Sequence, residues 1–258
     1  MSKILNSEDV IQHKKKAIRK LNALLETLIN SGNDDFLKKV DLLSYWIETF
    51  STYIQTEQSF TPKKLLSYKR GDIIRVNFGF RVGAELGGLH YAVVLDKDNK
   101  HNANTITVVP LSSLKTSTDS VHDRDLFLGS ELYNLVFSKF EKQLFELKSK
   151  RDELRPIVET LNQIPETGQT PEIEALIASI NKQICELSRE TNRLDKDKRE
   201  IERMKLGSIA KIEQITTISK MRIYVPKKST DFLSGIRFSQ NAMSRINAKI
   251  KELYVFDE

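Results

Sequence analysis

The sequence predicts an α+β protein in which one small β-rich domain is enlarged by two helical modules. Alternating, β-branched segments of the kind that form strands occur in residues 67–139 and again in residues 206–258. Residues 1–66 and 140–205 instead repeat their apolar side chains at helical spacing. Because strands are predicted on both sides of residues 140–205, we expect that segment to be an insertion into one domain. The two β-rich pieces together hold roughly 125 residues, which is enough for one small barrel.

The N-terminal module, residues 1–66, is predicted to be a helical hairpin. Apolar side chains recur three, four or seven residues apart from Ile11 to Leu28 and again from Phe36 to Ile54. A short polar segment that contains Gly32 separates the two runs. Two amphipathic helices joined by a short turn are typical of a helical hairpin.

Six segments are predicted to be strands because they are apolar, β-branched or alternating and are separated by polar turns. They are residues 71–78, 91–95, 105–111, 125–128, 207–212 and 221–225. A loop with three glycines, Gly83, Gly87 and Gly88, joins the first two strands. A last helix is predicted to begin near Ser239 and to turn its apolar side toward the core.

Residues 140–205 are predicted to form an antiparallel coiled-coil hairpin. From Ile173 to Ile201 the seam residues are alternately three and four apart, which is the 3.5-residue period of a left-handed coiled coil. The turn between the arms is expected near Gly168, and Pro156 is expected to kink or interrupt the first arm. No cluster of metal-ligating or nucleophilic residues occurs there, so a structural spacer is the expected role.

Composition excludes several classes of protein. The single Cys, Cys185, excludes a disulfide framework and a Cys-cluster zinc site, and it indicates a reducing compartment. No apolar run approaches the roughly 18 residues of a membrane span, and residues 1–9 lack a signal-peptide core. We therefore expect a cytoplasmic protein without a membrane partner. Of the formal charge of +6, the β-rich domain carries +5, a modest indication of an anionic partner.

The most informative histidine of the sequence is His90. It follows Gly87, Gly88 and Leu89 and immediately precedes a buried strand, so a flexible loop meets a rigid element there. On these grounds it is either a structural residue at a strand edge or a functional group. The sequence contains no P-loop, HExxH, CxxC or nucleotide-binding glycine motif that would indicate another chemistry.

Four blocks of the β-rich domain, in this order, resemble the MazF/PemK family of toxins from toxin–antitoxin systems. They are residues 68–78, 83–95, 104–113 and 213–218. The resemblance implies a small SH3-like barrel of the MazF/CcdB type, usually a homodimer, with a cognate antitoxin. It also implies endoribonuclease activity on single-stranded RNA without metal or cofactor. In that reaction the ribose 2′-OH attacks the adjacent phosphate and leaves a cyclic phosphate and a 5′-OH.

The resemblance also assigns residues to the site. His90 matches a position that is usually Arg, and Ser112 matches one that is usually Thr or Ser; in the family these two positions form the catalytic pair. Glu85 matches the acid of the family's glycine-rich loop, although it could instead brace the turn at Gly87 and Gly88.

Further candidates for RNA binding are residues beside these motifs. Arg81 and Lys115 are candidates for fixed positive charge, and Ser113 follows the catalytic serine position. Gln214 and Thr217 carry amide and hydroxyl groups of the kind that pair with base edges, or they satisfy strand ends.

The His at the usual Arg position has a chemical consequence. An Arg supplies charge but stays protonated, whereas a His exchanges protons near neutral pH. His90 is therefore predicted to act as general acid or base, with Ser112 donating a hydrogen bond to the phosphate. The alternative is that the exchange removed activity and left a nucleic-acid-binding scaffold whose coiled coil serves assembly or partner docking. A third possibility is that residues 1–66 are a built-in inhibitor.

Overall fold

In the computed structural model the described residues are 6–114, 121–161, 163 and 170–255. They form five α-helices and seven strands, and the strands pair antiparallel in one sheet, so the predicted α+β class is confirmed. The helices are α1 (Ser7–Asn30), α2 (Asp34–Thr56), α3 (Glu131–Leu161), α4 (Pro171–Glu202) and α5 (Gln240–Tyr254). The strands are β1 (Ile73–Asn77), β2 (Leu89–Val94), β3 (Thr105–Ser113), β4 (Leu126–Gly129), β5 (Ser208–Ala210), β6 (Thr216–Ser219) and β7 (Ile223–Val225). None of the described helices has the length and hydrophobicity of a membrane span.

The described residues divide into two compact units. One unit contains α1, α2 and the loop Phe78–Gly88, which joins β1 to β2. The other contains Thr61–Asn77 and the described residues from Leu89 onward, including the sheet and α3 to α5.

In the first unit both helices begin at an asparagine cap. The side chain of Asn6 accepts a hydrogen bond from the backbone N–H of Glu8, and that of Asn33 accepts from Asp35 and Phe36. Both first turns also carry two acidic residues, which the positive end of the helix dipole favours. Local sequence therefore defines where each helix starts.

The loop Phe78–Gly88 is closed by its own backbone and packs against α2. The N–H of Phe78 donates to Gly88 O, and the N–H of Gly88 donates to Gly79 O, both at 2.8 Å. The indole of Trp46 lies on Gly79, so closely that a Cβ there would be 2.7 Å from two ring carbons. Gly79 also has a φ of +79°, a conformation that favours glycine. The glycine is therefore required both by the turn and by the contact with Trp46.

In the second unit the sheet has the strand order β4-β5-β3-β2-β1-β7, and β6 pairs with the other end of β3. Odd-numbered residues such as Ile73 and Val93 belong to a core cluster with residues of α3, α4 and α5. Even-numbered residues such as Ile74 and Ala92 are buried as well. Because neighbouring residues of a strand point to opposite faces, the central strands are covered on both sides.

Helices α3 and α4 run side by side in opposite directions. Lys150 pairs with Glu190 at 3.5 Å, and residues 144–158 share a groove with residues 184–191. The predicted interruption at Pro156 is wrong, because α3 continues through it to Leu161. Pro156 lacks the N–H that would bond to the carbonyl of Asp152, but both residues are exposed, so water can satisfy that carbonyl. The expected turn at Gly168 lies outside the described residues.

A half-buried polar cluster connects α3 to residues 231–234, with Asp197 of α4 nearby. Lys139 Nζ donates to the carbonyl oxygens of Asp231, Phe232 and Ser234 at 2.7–3.1 Å. Burial lowers the pKa of Lys139, and burial raises the pKa of Asp197 despite the nearby cations Arg193 and Lys139. The ionised carboxylate of Asp197 is therefore costlier in the folded state than in the unfolded chain.

This cost predicts how stability changes when Asp197 is replaced. The folded state holds the Asp197 proton to higher pH than the unfolded chain does. The contribution of this group to the free energy of unfolding is therefore largest in acid and falls as pH rises through its folded pKa. We expect Asp197→Asn to be at least as stable as wild type near pH ~7. Toward pH ~4.5 the free energy of unfolding of wild type should rise relative to that of the variant. Urea unfolding at both pH values measures this, with Asp195→Asn on the same helix as control. If the difference in free energy of unfolding between wild type and Asp197→Asn is the same at both pH values, the prediction is contradicted.

Candidate active site

Two neighbouring strands bring His90 and Ser112 together. β1 pairs with β2 through Val76 and His90, and β2 pairs with β3 through Tyr91 and Leu111. His90 and Ser112 are the next residues beyond that last pair, one on each strand. Because neighbouring residues of a strand point to opposite faces, both lie on the face opposite to Tyr91 and Leu111. The two residues of the predicted pair therefore share one face at one end of the sheet.

The accessibility of this pair is intermediate. His90 and Ser112 are both half-buried, and the row they form continues into buried Val76 on one side and buried Ile209 on the other. Ser113 is exposed and lies on the face opposite to Ser112, because neighbouring residues of a strand point to opposite faces. Its pairing partner is Ser208 of β5. Both side chains of the predicted pair are therefore partly exposed, next to an apolar row.

A cluster that sequence reasoning missed holds the residue next to His90. The guanidinium of Arg75 lies 5.7 Å from the ring centres of both Tyr91 and Tyr224. Arg75 Nη1 also donates to Glu200 Oε2 of α4 at 2.7 Å. Burial raises the pKa of the Tyr91 phenol above its usual value, and the charge of Arg75 lowers it in part. This ion pair connects the end of α4 to β1, the strand that pairs with β2 beside His90.

Only Arg75 and Tyr91 could have been suspected from the sequence. A charged residue between Ile74 and Val76 was visible as an exception in an apolar strand, and Tyr91 was visible as the residue directly after His90. Glu200 comes from a segment 125 residues away, and nothing local marks it as a partner.

Arg81 and Glu85 belong to the first unit and contact each other. Arg81 Nη1 is 3.8 Å from Glu85 Oε2, and Arg81 Nε donates to the carbonyl of Phe78 at 3.0 Å. The Glu85 side chain is 61% exposed, so solvent weakens this ion pair. Both contacts lie within the glycine-rich loop, which accords with the bracing role left open for Glu85.

Among the remaining sequence candidates, Thr217 lies away from Ser112 along the sheet. Thr217 lies opposite Thr107, with their hydroxyl oxygens 3.0 Å apart. Thr107 is five residues along β3 from Ser112, which corresponds to about 17 Å of strand. Gln214 ends a short 3₁₀ turn, Ile212–Gln214. Lys115 lies outside the described residues.

The described part of the chain offers no group of three or more His, Cys, Asp or Glu side chains that could hold a metal ion. The side chains of the candidate pair are an imidazole and a hydroxyl, which can donate hydrogen bonds to an anion, and the imidazole can exchange one proton.

One family model matches the stretch that carries the candidate pair. Residues 69–131 are similar to the PemK-like, MazF-like toxins of type II toxin–antitoxin systems. The match covers about a quarter of the chain and includes β1 to β4, the glycine-rich loop and both members of the pair. No curated protein matches the chain at a significant level. The family resemblance is thus supported for three of the four blocks, whereas residues 213–218 lie outside the match.

Proposed function

We propose that this chain is a toxin-type endoribonuclease that cleaves single-stranded RNA without a metal. The observation that supports the proposal most is the register of β2 and β3, in which His90 and Ser112 each lie beside the last paired residue of neighbouring strands inside the segment similar to the PemK-like toxins. The family description also supports a cognate antitoxin as partner. We also propose that the chain forms a homodimer and is located in the cytoplasm.

In the proposed reaction the ribose 2′-oxygen attacks the neighbouring phosphorus as the bond to the 5′-oxygen breaks. The 2′-hydroxyl loses a proton and the leaving 5′-oxygen gains one, so the products are a cyclic phosphate and a 5′-OH. His90 exchanges one of these two protons, either as base at the 2′-OH or as acid at the 5′-oxygen, and water exchanges the other. Ser112 donates a hydrogen bond to a phosphate oxygen. Arg81 or Lys115 supplies the fixed positive charge.

Base and backbone contacts are proposed for the other candidates. Ser113 is exposed next to Ser112 and is proposed to bind the RNA backbone. Glu85, Gln214 and Thr217 are proposed RNA contacts outside the immediate pair. Because Thr217 of β6 pairs with Thr107, well along β3 from Ser112, its contact would be with nucleotides away from the cleaved bond.

The experiment that tests the proposal is cleavage of single-stranded RNA by the full chain in EDTA. We expect fragments that end in a cyclic phosphate and begin with a 5′-OH, as read by mass spectrometry of both termini. Cleavage that stops when EDTA is added, or fragments with a 5′-phosphate, would contradict the mechanism. A Ser112→Ala variant should cleave more slowly because the phosphate loses one hydrogen bond.

A catalytically inactive scaffold that binds nucleic acid is the second candidate function. It is favoured by a groove of about 440 Å³ along α3 and α4, which apolar residues and the cations Lys148, Arg151 and Arg155 line. Such a groove suits partner docking or assembly. In the same assay, RNA binding without any cleavage would support the scaffold and exclude the nuclease.

A further inference from the structure

An exposed aromatic side chain lies in the same row of the sheet as Ser112. Ile209 of β5 pairs with Ser112 on one side and with Phe127 of β4 on the other. Directly opposed residues of antiparallel strands project from the same face, with Cβ atoms about 4.5–5.5 Å apart. Phe127 therefore lies on the face that carries Ser112 and His90, and two strand spacings, or about 10 Å, separate it from Ser112.

The Phe127 ring is accessible, whereas the residue between it and Ser112 is buried. Phe127 is 41% exposed and Ile209 is 8% exposed. β4 is an edge strand of the sheet, and its next residue, Leu128, belongs to the core cluster on the opposite face. Since that side of β4 provides the packing of the strand, the ring of Phe127 stays open to a ligand at the edge of the sheet.

Two contacts hold Phe127 in place. A Cβ on Gly207 would lie 3.2 Å from Phe127 Cε2 and 3.1 Å from Leu114 Cβ, so the ring lies directly against the backbone of Gly207. From α5, Arg245 Nη2 donates a hydrogen bond to the carbonyl of Phe127 at 2.6 Å. Because both the ring and its backbone are positioned in the free chain, a ligand that binds to the ring pays little ordering entropy.

A nucleobase fits this combination of an exposed ring and a neighbouring cation. Aromatic side chains bind single-stranded RNA by stacking on its bases, and cations beside them bind its backbone. Arg245 is exposed, and a guanidinium has five N–H donors, so it can hold the Phe127 carbonyl and a phosphate oxygen together. We propose that Phe127 stacks on a base close to the cleaved bond, while Arg245 binds the backbone there. This inference rests on the proposed RNA site at His90 and Ser112.

The test measures how tightly the full chain binds two probes that it cannot cleave. One probe is a fluorescently labelled single strand of mixed-sequence 2′-O-methyl RNA, which lacks the attacking 2′-OH. The other probe has the same backbone but carries no bases. Wild type should bind the strand with bases at least ~10-fold more tightly than the abasic strand. Phe127→Leu should weaken binding of the strand with bases at least ~5-fold and leave binding of the abasic strand unchanged, because leucine is apolar but has no ring face.

Two further variants separate the loss of the ring from damage to the fold. Phe145→Leu is the matched control, because the Phe145 ring is 73% exposed on α3 and lies outside the row of Ser112. It should bind both probes as wild type does. Phe127→Trp keeps a ring face and should bind the strand with bases at least as tightly as wild type.

Three results would overturn the inference. Equal weakening of both probes by Phe127→Leu would mean that the ring supports the fold and not a base. Wild-type binding of both probes by Phe127→Leu would assign the exposed ring to a protein contact. A wild type that binds neither probe would contradict RNA cleavage as well. Because binding is measured apart from cleavage, a wild type that shows the expected stacking but cuts no RNA would contradict the nuclease alone.

Discussion

Replacing His90 with Gln should lower RNA cleavage by about two to four orders of magnitude. Gln keeps the size and hydrogen-bonding capacity of the side chain but does not exchange protons, so RNA binding should change little. The measurement is single-turnover cleavage together with binding of a non-cleavable RNA in which the 2′-OH is replaced. A matched control is His101→Gln, because His101 is exposed and its ring Nε2 contacts the carbonyl of Leu65 at 2.8 Å.

The family's usual residue makes a sharper variant at the same position. His90→Arg restores a permanent charge but removes the group that titrates near neutral pH. If His90 exchanges a proton, the wild-type rate should depend on pH near neutrality, and His90→Arg should retain part of the activity without that dependence. A pH profile of His90→Arg that is identical to wild type would show that another group carries the proton.

The sheet was largely predictable because its strands have a strong local signal. The alternation of residues 71–78 and the apolar run 91–95 correspond to β1 and β2 with small shifts of their ends. β6 was missed because two of its four residues are threonines, Thr216 and Thr217, whose polar hydroxyls obscure the apolar pattern. The pairing of Thr217 with Thr107 explains why threonines suit that strand.

What local patterns did not reveal are the contacts between distant segments. α3 starts at Glu131 because Leu132 and Val136 belong to the core of the sheet, so the helix begins before the predicted insertion at residue 140. The ion pair of Arg75 with Glu200 likewise depends on how α4 returns to the sheet. Periodicity identifies the apolar side of a helix, but it does not identify the surface that this side meets.

The contact of Trp46 with Gly79 leads to the second large prediction. Gly79→Ala should destabilise the first unit by about 2–5 kcal/mol, the sum of a positive-φ penalty and an overpacking penalty. The new Cβ would be 2.7 Å from the indole, so the ring or the loop has to move. Trp46 is the single tryptophan of the sequence, so its fluorescence reports this site directly. We expect red-shifted emission and a lower urea midpoint.

Gly83→Ala is the matched control, because it separates the two causes. Gly83 has a φ of +63°, but no heavy atom lies within 4 Å of where its Cβ would be, so it carries the backbone penalty alone, about 1–2 kcal/mol. The excess loss in Gly79→Ala then measures the contact between α2 and the loop. Trp46→Leu should recover part of that excess in the Gly79→Ala background. Equal losses of stability in the two alanine variants would mean that the Trp46 indole moves aside at no energetic cost. In that case α2 would not hold the loop that carries Arg81 and Glu85.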